Sequence, residues 1–186
     1  MGAATNYETS STYMGGYVKA LRGLELLTPE VVAKFEAPQR QMVASPYSQG
    51  WWPGAETEVI TRAVLDVHGA AKVEEVGLLT TRNGVGPIIS PLISVIGAFF
   101  GLEPSTLFER MNDLSSTSIR GITLEWASTG RRAGTLRVGY PEGLGGATVE
   151  PLWRGACRYV FETAHAKAGQ LSSQVTGSAI ELSLRW

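Results

Sequence analysis

The sequence has little cysteine and little charge. One cysteine, Cys157, excludes an intramolecular disulfide framework and a zinc site built from several cysteines. Charged residues make up 18% of the 186 residues, and the net charge of −1 leaves no basic surplus for binding nucleic acid or an anionic membrane surface. Because 44% of the residues are hydrophobic, the composition is that of one folded domain rather than a disordered chain.

The sequence also lacks the marks of export and of membrane insertion. Residues 1–16 have no basic start followed by an apolar stretch, so they do not form a secretory signal. Their Ser, Thr and Gly content predicts a flexible tail, followed by a single domain at residues 17–186. The uncharged run at residues 84–101 contains Pro87 and Pro91, which favours a buried helix over a membrane span. We therefore expect a cytoplasmic protein with no membrane span.

The first two thirds of the sequence has the hydrophobic spacing of amphipathic helices. Thr28 followed by Pro29 is typical of a helix start, and Gly69 is typical of a helix end. Residues 39–53 contain two prolines and predict an irregular segment. The spacing predicts helices at residues 17–27, 29–37, 56–68, 72–81, 87–100 and 104–112.

The pattern changes near residue 122, where apolar and polar residues begin to alternate. This alternation predicts a hairpin, a long helix in which Gly155 marks a close approach to another element, and a second hairpin. The predicted segments are residues 122–127, 136–140, 148–167, 171–175 and 180–186. The sequence therefore predicts an α+β fold, with N-terminal helices followed by a β-β-α-β-β antiparallel sheet unit.

No residue pattern of a catalytic or metal site is present. His68 and His165 each lie near a predicted helix end, where an imidazole interacts with the helix dipole, and no carboxylate-rich motif accompanies them. Cys157 lies in the apolar stripe of the long helix and is expected to pack as a small hydrophobic residue. The glycines at residues 143–146 lack the Lys and Ser or Thr of a phosphate-binding loop. We predict no catalytic residue, no metal site and no cofactor, and hence no enzyme.

Large aromatic side chains supply the candidate binding residues. A pocket between a helix layer and a sheet would be lined by such side chains, and the candidates for its lining are Phe99, Phe100, Trp126 and Trp153. Core packing is the alternative role for these residues.

Two other features are candidates for contact with a protein partner. Trp51 and Trp52 lie in the segment predicted as irregular, where an exposed pair would anchor an interface. Arg131 and Arg132 lie at the predicted hairpin tip, where they would contact a phosphate or an acidic partner, or be solvated.

The C-terminal part of the sequence is similar to a known family. Residues 86–126 (GPIISPLISVIGAFFGLEPSTLFERMNDLSSTSIRGITLEW) resemble a large paralogous family of uncharacterised proteins best known from myxobacteria. In that family an apolar helix leads through a Gly-x-x-Pro-like turn to a helix bearing Arg and Met, and then to a hairpin. The tail is similar as well, with a long helix around LWRGACRYVF and a final tryptophan after an L-S-L-R-like strand. The likeness covers about residues 85–186.

That family is similar in turn to the vinyl-reductase-like, haem-nitric-oxide-binding and TRAPP domains. These are helix-then-sheet modules that bind small ligands or pair as subunits. Two departures distinguish this chain. Vinyl-reductase-like domains often carry a cysteine cluster near the C-terminal strands, whereas this chain has Cys157 alone. Neither His68 nor His165 falls where a haem binder places its proximal histidine, so the resemblance implies neither a bound metal nor haem.

Two functions remain open from the sequence. The first is a non-enzymatic regulatory or sensory domain that binds a small apolar molecule between the helices and the sheet. The alternative is a protein-interaction or scaffold subunit that forms a homodimer, or docks in a complex, without a ligand.

Overall fold

The computed structural model describes residues 7–85, 103–111, 115–166 and 169–186. The described N-terminal elements are β1 (Glu8–Ser10), α1 (Ser11–Gly23), α2 (Pro29–Ala33), α3 (Ala37–Ala44), β2 (Trp51–Pro53), α4 (Gly54–His68) and α5 (Ala70–Thr80). A π-helical turn at Thr81–Val85 continues α5. After α6 (Pro104–Glu109) come β3 (Ile119–Arg120), β4 (Thr123–Gly130), β5 (Ala133–Gly139), α7 (Glu150–Thr163), β6 (Gln170–Thr176) and β7 (Ala179–Arg185).

The larger sheet has the predicted α+β architecture. Its antiparallel strands lie in the order β4-β5-β7-β6, and α7 connects the two hairpins, which confirms the predicted fold class. One face of the sheet is apolar and packs into the same core as α7. Leu136, Val138, Ile180 and Leu182 on this face are fully buried. The hairpin–helix–hairpin unit therefore contributes much of the core.

A second, smaller sheet was not predicted. Strand β1 pairs antiparallel with both β2 and β3, so that Thr9 lies opposite Trp52 on one side and Ile119 on the other. The prediction that residues 1–16 form a tail is therefore wrong for residues 8–16, which form β1 and the first turns of α1. The physical reason is local, since the Ser10 side chain caps α1 by accepting a hydrogen bond from the Tyr13 amide at 3.2 Å.

Most other differences from the predicted helices lie at helix boundaries. The helix predicted to begin at residue 17 begins at Ser11, and α2 ends at Ala33 rather than at residue 37. The segment predicted as irregular contains α3, where Glu36 and Gln39 form a reciprocal cap around the first turn. The helix predicted at residues 87–100 lies outside the described residues. Within the described residues, no helix is both long enough and apolar enough to cross a membrane.

Helices α5 and α7 cross in backbone contact. A Cβ atom on Gly155 would lie 2.1 Å from the Glu74 carbonyl oxygen, and one on Gly77 would lie 2.2 Å from the Leu152 carbonyl oxygen. The carboxylate of Glu74 accepts hydrogen bonds from Arg154 at 2.9 Å and Arg158 at 3.0 Å beside the crossing. The close approach predicted at Gly155 is therefore confirmed.

Replacing Gly155 with alanine should destabilise the fold. Alanine normally favours a helix interior by about 1 kcal/mol over glycine, but the clash with the Glu74 carbonyl should outweigh this gain and lower the free energy of unfolding by about 1–3 kcal/mol. Urea unfolding measures the difference. Gly23→Ala is the matched control because a Cβ atom there meets nothing within 4 Å. Equal stability of the two variants would contradict the backbone contact.

Candidate functional site

An apolar cavity of about 90 Å³ lies among the helices and beside the smaller sheet. Helix α7 supplies its longest wall, and α1, α4, α5, α6 and β3 close the other sides. The residues that line it are Tyr7, Tyr13, Thr57, Gly77, Thr81, Leu107, Met111, Ser115, Ser118, Ile119, Tyr140, Val149, Leu152, Trp153, Ala156, Tyr159, Val160 and Thr163. This described lining has no Asp, Glu, Lys, Arg or His.

One end of the cavity carries aromatic side chains with polar groups. The indole nitrogen Nε1 of Trp153 donates a hydrogen bond to the Tyr140 hydroxyl at 2.7 Å. The ring of Tyr7 meets that of Tyr140 edge to face, with 5.3 Å between centroids. This arrangement satisfies the Trp153 N–H inside the protein and leaves the apolar parts of both rings on the wall.

Two other hydroxyls of the lining, of Tyr13 on α1 and of Ser118 just before β3, differ from that of Tyr140. Tyr13 stacks on Tyr17 with 6.4 Å between ring centroids, but its hydroxyl has no hydrogen-bond partner among the described residues. The Ser118 Oγ atom is buried and likewise has no partner. By contrast, the Tyr17 hydroxyl forms a 2.8 Å hydrogen bond with Thr61.

The loop that follows Tyr140 is held by Glu58 of α4. Both carboxylate oxygens of Glu58 accept hydrogen bonds from the Gly145 amide, at 2.9 and 3.0 Å. Burial raises the pKa of Glu58, while the Gly145 amide and the charge of Arg62 act in the opposite direction. Through this contact α4 positions the start of α7 and the Tyr140 wall.

The structure separates the predicted ligand-binding residues. Trp153 lines the cavity. Trp126 does not: it stacks on Phe108 with 4.8 Å between centroids and borders a more open pocket that also includes Glu109. Phe99 and Phe100 lie outside the described residues.

The predicted interaction residues are also separated. Trp52 is buried, and its Nε1 donates to the Pro46 carbonyl oxygen at 2.8 Å, so the prediction of an exposed anchor is wrong for this residue. The reason is that β2 pairs with β1 and turns Trp52 into the core. Trp51 is half-buried, and the Arg120 guanidinium lies 3.7 Å above its ring. Arg131 and Arg132 are exposed at the β4–β5 turn.

Neither histidine belongs to the cavity. His68 is the last residue of α4, and His165 lies just after α7 beside an open surface depression. Cys157 is fully buried in the core, as predicted, and burial raises the pKa of its thiol well above the usual range. The described residues contain no group of three or more His, Cys, Asp or Glu placed to hold a metal ion.

Sequence reasoning missed Tyr7, Tyr13 and Ser118. The first two were assigned to the tail, although Ser10 as a helix cap and the aromatic spacing from Tyr13 to Tyr17 are signals of a helix in this region. Nothing local identifies Ser118, whose position depends on the pairing of β3 with β1.

The buried tyrosines should make the protein sensitive to alkaline pH. Burial raises the pKa of Tyr7, Tyr13, Tyr17 and Tyr140 above the usual value near 10. The folded state therefore retains phenol protons that the unfolded chain releases, so the free energy of unfolding should fall as pH rises above about 10, by about 1.4 kcal/mol per pH unit for each retained proton.

Urea unfolding between pH 9 and 11 measures this dependence. In the Tyr140→Phe variant, the free energy of unfolding should fall less steeply with pH, by the equivalent of about one proton. The variant should also be less stable than the wild type at every pH in this range, because Trp153 Nε1 loses its hydrogen-bond acceptor. An unchanged slope in this variant would contradict the assignment of Tyr140 as a buried, protonated phenol.

Comparisons with known proteins identify the fold. No family model matches the sequence, and no curated protein does. An Fe(II) unliganded H-NOX protein from K. algicida matches with a TM-score of 0.60 and 8% identity over 95% of both chains. A mutant H-NOX of T. Tengcongensis matches with a TM-score of 0.58 and 15% identity, covering 95% of this chain and 96% of that one.

A third solved structure, described as modulating haem redox potential through protein-induced porphyrin distortion, matches with a TM-score of 0.57 and 13% identity. It covers 95% of this chain and 99% of that one. The match thus extends over the N-terminal helices as well as the C-terminal unit. The chain therefore has the fold of the H-NOX domains.

Proposed function

We propose that the protein is a regulatory, non-enzymatic domain that binds a small apolar molecule in the cavity between α7 and the N-terminal elements. The observation that carries this proposal is the cavity itself, which is lined mainly by apolar surface and lies between α7 and the N-terminal elements. Close packing is the rule in protein interiors, so a cavity of this size at the centre of a fold requires an explanation. Binding sites for small molecules are concave and mostly apolar, with a few polar groups.

The fold supports a ligand-binding role, because solved structures with this fold are described as haem-containing. Haem itself does not fit the described cavity. Haem iron is held in proteins by His, Cys, Met or Tyr. His68, His165 and Cys157 do not line the cavity. Met111 does, but methionine ligates haem together with a histidine, and the described lining has none. Burial raises the pKa of the lining phenols of Tyr7, Tyr13 and Tyr140, which favours their protonated form.

The size of the cavity argues against haem as well. Its volume of about 90 Å³ is smaller than the ~150 Å³ of an engineered apolar cavity that binds benzene. It is also far below the ~300 Å³ at which pockets for larger ligands begin. The lining residues that the structure describes carry no positive charge to pair with the carboxylates of haem. The ligand that we propose is therefore a compact molecule no larger than a small ring.

The position of the cavity explains how binding would act on the rest of the molecule. Its walls come from α1, α5, α7 and β3, which belong to both the N-terminal and the C-terminal parts of the fold. A ligand that contacts all of them stabilises the arrangement in which they are packed together. Ligand binding would increase the population of this packed arrangement, and a partner molecule in contact with the outer surface would respond to that increase.

A cavity-filling variant tests the proposal. Cyclopentane added to the isotopically labelled protein should shift the methyl resonances of Ala156 and Val160, since both side chains line the cavity. Ala156→Leu should abolish these shifts by occupying the space. Ala127→Leu, on the exposed face of the larger sheet, is the matched control and should bind cyclopentane as the wild type does.

The thermal unfolding midpoint of each variant shows whether it is folded. The proposal would be overturned by a wild-type protein that shows no cyclopentane-dependent shift, or by a folded Ala156→Leu protein that shows the same cavity shifts. Mass spectrometry of the purified protein under native and denaturing conditions would then identify a natural ligand from any mass lost on denaturation.

A further inference from the structure

We infer that the natural ligand is a neutral molecule with one oxygen acceptor, such as a ketone carbonyl, and that the Ser118 and Tyr13 hydroxyls donate hydrogen bonds to it. This inference rests on the proposed function and adds the chemical class of the ligand. It depends on which polar groups of the cavity already have partners inside the protein and which do not.

Ser118 is the strongest indication. Its side chain is 2% exposed, and its Oγ atom has no hydrogen-bond partner. Buried polar groups are nearly always hydrogen-bonded, because leaving one unpaired costs free energy. The backbone of Ser118 is fixed on both sides, since its carbonyl oxygen accepts from the Ser10 amide and its amide donates to the Ser115 carbonyl oxygen, both at 2.8 Å. Ser118 is therefore held at the cavity wall with an unused hydroxyl.

Tyr13 of α1 supplies a second lining hydroxyl, to which the described residues give no hydrogen-bond partner. Its ring is fixed by stacking on Tyr17, and its backbone amide by the Ser10 cap. Two nearby polar groups already have partners, since Trp153 donates to Tyr140 and Tyr17 is bonded to Thr61. The described lining thus carries a hydrogen-bonded pair, Trp153 and Tyr140, together with the Ser118 and Tyr13 hydroxyls, to which the described residues give no partner.

The charge of the lining determines what these hydroxyls can bind. No charged side chain is among the described lining residues, so a buried carboxylate or ammonium group would have no counter-ion. Both hydroxyls can donate, and one carbonyl oxygen has two lone pairs with which to accept. A neutral carbonyl compound satisfies both hydroxyls with a single atom and places its apolar remainder against Leu107 and Val160.

Cyclopentanone and cyclopentane form the probe pair, since they differ by one carbonyl oxygen on the same ring. Their dissociation constants are measured by protein-detected NMR for the wild type, Ser118→Ala, Tyr13→Phe and Ser183→Ala. Each cavity variant should weaken cyclopentanone binding by about 3- to 10-fold, which is the loss of one hydrogen bond, and should leave cyclopentane binding unchanged or tighter. Ser183 is exposed on the outer face of β7, so its variant should bind both probes like the wild type.

The carbonyl carbon of ¹³C-labelled cyclopentanone provides a second readout. Its resonance should move downfield on binding to the wild type, move less in the two variants, and recover in Ser118→Thr, which keeps a hydroxyl. Thermal unfolding shows that each variant is folded, and Tyr13→Phe tests the inference independently of Ser118.

The outcomes separate this inference from the proposed function. The carbonyl assignment would be overturned if the variants lost affinity equally for both probes, or if neither folded variant lost affinity for cyclopentanone. In either case the cavity would remain a binding site. Absence of wild-type binding for both probes would overturn both proposals. A selective loss for cyclopentanone supports the assignment.

Discussion

The contact between α5 and α7 determines the arrangement of the part of the molecule that contains the cavity. Backbone meets backbone at Gly77 and Gly155, and no other residue type permits this approach. The contact sets the depth at which α7 lies against the N-terminal helices, and α7 in turn carries Trp153, Ala156 and the rest of the longest cavity wall. Beside the contact, Glu74 of α5 accepts hydrogen bonds from Arg154 and Arg158 of α7, which helps to fix the orientation of one helix against the other. The cavity is therefore a consequence of how closely two helices approach.

The parts of the fold that sequence reasoning recovered are those specified by local patterns. Alternating apolar residues identified the two hairpins, and the periodic stripe that includes Cys157 identified α7. The small sheet was missed because β1, β2 and β3 have only two or three residues each, and their pairing joins segments that are far apart in sequence. The same reason accounts for the site: Trp153 lies on a strongly periodic helix, whereas Tyr7 and Ser118 reach the cavity only through long-range pairing.

The aromatic residues have two different roles, since some pack in the core and others form the cavity wall. Trp126, Phe108, Phe161 and Trp186 pack against one another at one end of the larger sheet, with no part in the cavity. Trp153 and Tyr140 have a similar chemistry, but a hydrogen bond between them orients both rings along the cavity wall. The count of aromatic residues indicated that a pocket was possible, and only their placement distinguished wall from core. Similarity of fold to haem-containing domains does not carry over the ligand, because the cavity size and its side chains determine what fits.

The pairing of β1 with β3 has a consequence for the order in which the chain can fold as it is made. Glu8 lies opposite Arg120, and the last wall residues of the cavity come from α7, which is synthesised later still. The first strand must therefore remain without its second neighbour until the ribosome has translated all the residues up to β3. The cavity closes only when α7 reaches the α5 surface, so a nascent chain acquires the cavity only after α7 has been synthesised.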